Sequence, residues 1–178
     1  VEAARSLGLR RAHGFVLVVL PLALRYAFAG LANLWMVVVK NTPLVSVVVP
    51  TYRRLPLLER CLSALGAQTL EPDRYEVVVV HDGPSDDTVR AIGRWQTRWR
   101  QQGGPELTLL TPAHRGPAAA RNAGWRAAKA EWIAFTDDDT DPYPTWLTAA
   151  LAALGPDVDA GWGRIVVPLR KPPTDYER

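Results

Sequence analysis

Cysteine occurs once in the 178 residues, at Cys61, and methionine once, at Met36. A single thiol excludes an intramolecular disulfide framework and a thiolate metal cluster, and it is compatible with a reducing compartment. Internal repeats, heptad arrays and a glycine period are all absent, which excludes solenoid and fibrous architectures. The chain also lacks the apolar deficit of a disordered segment, since 48% of its residues are hydrophobic and 22% charged. What remains is one globular domain with a single core.

A net charge of +3 raises the question of a nucleic-acid partner, so the placement of the charge matters. Residues 1–40 carry five basic groups, Arg5, Arg10, Arg11, Arg25 and Lys40, against Glu2 alone. The other 138 residues carry 16 basic and 17 acidic groups. The basicity therefore belongs to a leader, the body is near neutral, and no nucleic-acid partner is expected. Residues 15–39 form an apolar stretch long enough to cross a bilayer, broken by Pro21, Arg25 and Asn33. Its insertion is marginal, because Arg25 near the centre costs about 2.5–3.5 kcal/mol against fourteen modestly favourable Phe, Leu and Val residues. Three readings of residues 1–40 stand: a non-native start with translation from Met36, a membrane segment, or a secretory signal with Ala27-Phe28-Ala29 as cleavage site.

Beyond residue 41 short apolar runs alternate with segments of helical period. Strands are expected at 45–49, where Pro50 should end the ladder, and at 75–80, 107–110, 132–136 and, more loosely, 160–167. The first two are continuous β-branched runs, as in a parallel sheet buried on both faces. Helices are expected from Pro56, with Leu57, Leu58, Cys61, Leu62 and Leu65 as the apolar face, and after Asp86-Asp87, with Val89, Ile92, Trp95 and Trp99. Two more are expected over 117–129 and 144–154, the last closing at Gly155. The alternation predicts a three-layer α/β/α sandwich with a mostly parallel sheet, Rossmann-like.

In such a sheet a ligand sits beyond the carboxyl ends of the strands, and the residues there are polar. Asp137, Asp138 and Asp139 are three adjacent carboxylates in which the outer two can face one side, so a hard cation, Mg²⁺ or Mn²⁺, bridging to a diphosphate would relieve their repulsion. A turn cap with two solvated acids explains the same letters. Asp82, before Gly83, is placed to accept from a base or ribose, or to form a turn with Ser85 or cap the next helix. In the small-residue run 115–124, Arg121 could meet a phosphate or brace a carboxylate and Asn122 could orient a loop, or the run is a plain alanine-rich helix.

Taken together, VSVVVPTYRR, YEVVVVHDGPSDDT, GPAAARNAGWRAA and WIAFTDDDTDPYPTWL resemble the family 2 glycosyltransferases over residues 45–167. The resemblance implies the nucleotide-diphospho-sugar transferase fold called glycosyltransferase A, with residues 41–178 as its nucleotide-sugar-binding half, short of the acceptor-binding half. It implies that Pro50, Thr51, Tyr52 and Arg53 form the floor under the nucleoside. Asp82 would accept from the base imino group, which favours uracil or thymine without excluding guanine. Arg121 and Asn122 would lie beside the donor, with Asp138. Asp137 and Asp139 match the outer positions of the family's Asp-x-Asp motif, with Asp137 near the ribose or sugar and both assigned to the divalent metal. His81 and Pro84 depart from the family's pattern.

The implied activity is metal-dependent transfer of sugar from a UDP-, dTDP- or GDP-sugar to a saccharide or lipid-linked acceptor with inversion, as in cell-envelope polysaccharide synthesis. The implied place is the cytoplasm, at the inner face of the membrane if the leader is an anchor. The general base is expected beyond Arg178, because Asp157, Asp159, Asp175 and Glu177 match no catalytic position. A non-catalytic nucleotide-sugar-binding fragment is the alternative. A nucleotidyltransferase fits less well, since PTYRRLP is no glycine-rich phosphate loop. Of the tryptophans, Trp95, Trp99, Trp125, Trp132 and Trp146 are expected in packing, and Trp162, between two glycines, is the exception that could stack on a sugar. His13, His114 and Cys61 receive no role.

Overall fold

The computed structural model describes residues 43–83, 85–113, 115–154 and 157–167. The expectations for residues 1–40, Pro84, His114, Gly155, Asp175 and Glu177 lie outside the described residues. Among the described residues no helix is long and apolar enough to cross a membrane.

Four parallel strands form one sheet in the order β3-β2-β1-β4, with β1 Val45–Thr51, β2 Tyr75–His81, β3 Glu106–Leu110 and β4 Trp132–Phe135. All seven residues of β1 and of β2 are buried, which explains their unbroken valine runs: both faces carry helices. On one face Val47, Val49, Val77 and Val79 pack against α1 (Leu55–Leu65) and α2 (Asp86–Gln102), joined by Leu147 of α4 (Trp146–Ala153). On the other face Val48, Val78 and Val80 pack against Ala120 of α3 (Pro117–Ala127). These three layers are the sandwich that the alternation implied.

Local sequence accounts for the elements. Leu58, Cys61, Leu62 and Leu65 line the buried stripe of α1, and Pro56 occupies its first turn. Ser85 caps α2 by accepting from the Thr88 amide at 3.4 Å, Asp86 and Asp87 sit in its first turn, and Gly103 at φ 67° ends it. Gly124 lets α3 lie directly on the sheet, because a Cβ there would overlap Val48 Cγ1.

Three expectations are corrected. Pro50 does not end β1, which runs on through Thr51 with Pro50 paired to Val80. Val48 O accepts from Thr136 N on the β4 side while Thr51 O accepts from Asp82 N on the β2 side. Pro50 shares the parity of Val48, so its missing donor faces the β4 edge, past Val48↔Phe135, the last pair of that ladder. Val89 is exposed, and the buried face of α2 is Thr88, Ala91, Ile92 and Trp99, because the bulky Ile92 and Trp99 set the helix phase. Residues 160–167 form no strand: among the described residues they have no sheet partner, and Trp162 is 97% exposed with Ile165, Val166 and Val167 also out in solvent.

Candidate functional site

The strand order reverses between β1 and β4, because β1 leads to β2 and β3 on one side while the chain returns by α3 to β4 on the other. The loops leaving these strands diverge and open a crevice at their carboxyl ends. There a cleft of about 340 Å³ is lined by Pro50, Thr51, Tyr52 and Arg54 after β1, Asp82 after β2, Pro117, Ala120 and Arg121 of α3, and Asp137, Asp138 and Asp139 after β4. That is the volume of a small-molecule site.

The three aspartates take three environments, as a strand end allows. Asp138 is the middle and buried member, 4% exposed, and accepts from Thr51 Oγ1 at 2.7 Å across the β1–β4 gap. Burial raises its pKa, opposed by the Thr51 hydrogen bond and the charge of Arg54. The Asp137 and Asp139 side chains are about half exposed, at 55% and 49%. Asp137 pairs with Arg121 at 2.6 Å on the α3 wall, and Asp139 with Arg54 at 3.2 Å on the β1 wall. The turn itself is held by Thr140, whose hydroxyl donates to Asp137 O at 2.8 Å, and by the Cys61 thiol 3.6 Å from the same carbonyl. Burial pushes that thiol up to about 11, so Cys61 stays a neutral packing group beneath the turn.

Asp82 is buried, and its two carboxylate oxygens accept the backbone amides of Arg115 and Gly116, each at 2.9 Å. Ser85 caps α2 instead. One carboxylate thus ties the end of β2 to the start of α3, where Gly116 at φ 90° turns the chain into Pro117. Beside it His81 is wholly buried, and among the described residues neither ring nitrogen has a hydrogen-bond partner.

Of the residues singled out in the sequence, Pro50, Thr51, Tyr52, Asp82, Arg121, Asp137, Asp138 and Asp139 line this one cleft. Arg53 and Asn122 do not. Arg53 takes φ 55°, rare for a side-chain-bearing residue, and its guanidinium lies 5.1 Å over the Tyr52 ring. Asn122 Oδ1 accepts from Trp125 Nε1 at 3.1 Å. The residue overlooked is Arg54, next in sequence to Arg53, and the signal for it is a second basic group facing an acidic triplet. Trp99 is buried in the core, whereas Trp162 stands free of it.

Among the described residues no three Asp, Glu, His or Cys side chains converge as a metal cage. Mg²⁺ and Mn²⁺ do not require one: such ions take one or two carboxylates and complete the shell with phosphate oxygens and water. Asp137 and Asp139, hard oxygen donors half open to the cleft, fit that mode.

The family model described as glycosyl transferase family 2 matches residues 46–176. Glycosyltransferase AglE of Haloferax volcanii is 32% identical over 124 residues, which cover 69% of this chain and 40% of that protein. Validoxylamine A glucosyltransferase of Streptomyces hygroscopicus subsp. limoneus is 39% identical over 113 residues, 64% of this chain and 24% of that protein. The chain thus spans well under half the length of these curated relatives. Among solved structures, the mannosyltransferase PcManGT from Pyrobaculum calidifontis, in complex with GDP-Man and Mn²⁺, aligns with TM-score 0.52 and 36% identity over 61% of this chain and 31% of that one. S. aureus TarS 1-349 in complex with UDP-GlcNAc aligns with TM-score 0.53 and 28% identity over 61% and 30%.

Proposed function

Because the chain belongs to glycosyl transferase family 2, we propose that residues 41–178 form a nucleotide-sugar-binding domain that presents a UDP-, dTDP- or GDP-sugar for transfer to a hydroxyl acceptor with inversion. The carrying observation is the convergence of Asp82, Arg121 and the three aspartates on one cleft at the topological switch point. Related structures holding GDP-Man with Mn²⁺ and UDP-GlcNAc support the donor class.

In this reading Pro50, Thr51 and Tyr52 lie under the nucleoside, and Asp82, at the end of β2 in the same cleft, accepts from the base. Asp137 and Asp139 would hold Mg²⁺ or Mn²⁺, which supplies charge neutralisation for the departing diphosphate. Arg121, paired with Asp137 without ligand, would turn from it to a phosphate oxygen. Asp138, bonded to Thr51, fixes the spacing of the β1 and β4 ends.

A second reading, a binding module without turnover, is favoured by one observation. Each carboxylate lining the cleft is engaged, by Thr51, by the two amides, or by an arginine. Among the described residues no free carboxylate in the cleft is left as general base.

Calorimetric titration with UDP, dTDP and GDP, with and without Mn²⁺, tests the donor site. We expect binding of at least one nucleotide that strengthens with Mn²⁺, and weakening of about tenfold or more in Asp139→Ala, the scale of one lost charge-assisted contact. Failure of all three nucleotides to bind in Mn²⁺ would sink the donor reading. Release of free sugar or transfer to an added saccharide separates an enzyme from a binding module.

A further inference from the structure

Arg54 closes the first motif, VSVVVPTYRR, and the donor reading above gives it no role, yet it stands inside the cleft. Its side chain is 56% exposed, and its guanidinium reaches Asp139 at 3.2 Å and Asp138 at 3.7 Å. Arg121 faces it from α3, paired to Asp137 at 2.6 Å. Three successive carboxylates are therefore offset by two guanidiniums from opposite walls.

A dication approaching Asp139 meets Arg54 as a direct competitor, because both need the same carboxylate oxygens. A nucleoside diphosphate arriving with that dication changes the balance, since its oxygens match the planar guanidinium fork. An exposed Arg–carboxylate pair contributes little by itself, so exchanging it for a phosphate contact has a low energetic barrier.

We infer that Arg54 is an exchangeable counter-ion of the acidic motif: paired with Asp139 until metal and nucleotide enter, and then transferred to the diphosphate. It thereby becomes a donor-positioning residue on the β1 wall. The inference rests on the donor reading above. No bond to carbon is made or broken, and the step only swaps ionic partners.

The exchange predicts effects of opposite sign for the two ligands. In Arg54→Ala, Mn²⁺ alone, followed by the free-ion signal in electron paramagnetic resonance, should bind about two- to fivefold more tightly, because a modest exposed pair no longer competes. In the same variant UDP or GDP with saturating Mn²⁺ should bind about tenfold or more weakly, the scale of a charge-assisted contact. Arg54→Lys keeps the charge without the fork, so it should match wild type for Mn²⁺ alone and fall between for the nucleotide. Arg90→Ala, on the outer surface of α2 and paired with Asp87, should change neither. Circular dichroism melting of each variant separates misfolding from lost contacts, and the Mn²⁺ gain is a result no misfolded variant can give.

Arg54→Ala with no gain in Mn²⁺ affinity, or with unchanged nucleotide affinity, overturns the exchange while leaving the donor reading intact. Wild-type protein that binds no nucleotide overturns the donor reading, and the inference with it.

Discussion

His81 is wholly buried at the end of β2, and burial lowers its pKa, with the charge of Asp82 opposing. The unfolded chain takes up a proton as pH falls through about 6.5, whereas the folded one resists until lower pH. The unfolded state then binds more protons, so stability is full above about 6.5 and declines as pH falls toward the lowered native value. We expect the melting temperature to fall across this window and His81→Leu to flatten the slope; an unchanged slope in that variant would assign the effect elsewhere. Asp138 acts in the opposite sense: burial raises its pKa, so the folded state takes up the proton before the unfolded one does and acidification relieves its buried charge. At this scale the sequence is legible where chemistry depends on neighbours in the chain. Three adjacent aspartates at a strand end have to diverge. The commitment of Asp82 is not legible, because its partners Arg115 and Gly116 are 33 and 34 residues away and offer backbone amides, which no side-chain pattern marks.

Among the elements, α3 is the one whose placement decides the site. It meets the sheet through Ala120 and Gly124, and Arg121 stands one turn before that glycine. Gly124→Ala would drive a methyl into Val48 and crowd Val80, overpacking that typically costs about 1–3 kcal/mol. The expected result is a lower urea midpoint together with weaker nucleotide binding, as Arg121 shifts with the helix. A Gly124→Ala variant as stable as wild type would mean that the contact yields freely. Element types follow from composition because β1, β2 and the stripe of α1 each bury a strong period. The misreadings have physical causes. Pro50 looks like a terminator in the sequence, but its effect depends on which edge its nitrogen faces. Val89 looks like core because an apolar residue beside a helical stripe resembles part of it. Residues 160–167 have the composition of a strand, although a strand exists only where another supplies its hydrogen bonds.

For the whole molecule, the strand order places β1 and β2 in the interior of the four-stranded sheet and β4 at its edge, with Phe135 of β4 nearly half exposed. Hydrogen exchange should therefore be slowest in β1 and β2 and fastest, among the strands, in β4. Adding nucleotide with Mn²⁺ should slow exchange at 136–140 and 115–121 without changing α2. Protection appearing first at α2 would point to a ligand site elsewhere. Two core clusters on the two faces, served among the described residues by three helices on one and by α3 on the other, are foreseeable from the alternation of strand and helix. Which helix takes the solitary side is not, since that depends on where the strand order reverses.

The Asp82 tether acts before any ligand arrives. By holding the Arg115 and Gly116 amides, it removes the conformational entropy of the segment leading into α3 during folding. A loop that orders only on binding subtracts about 0.5–1.5 kcal/mol from affinity for each side chain it immobilises. Here that loss falls on the folding equilibrium instead. The wall carrying Arg121 is preorganised, so association in this cleft need not wait for a closing motion of the segment before α3.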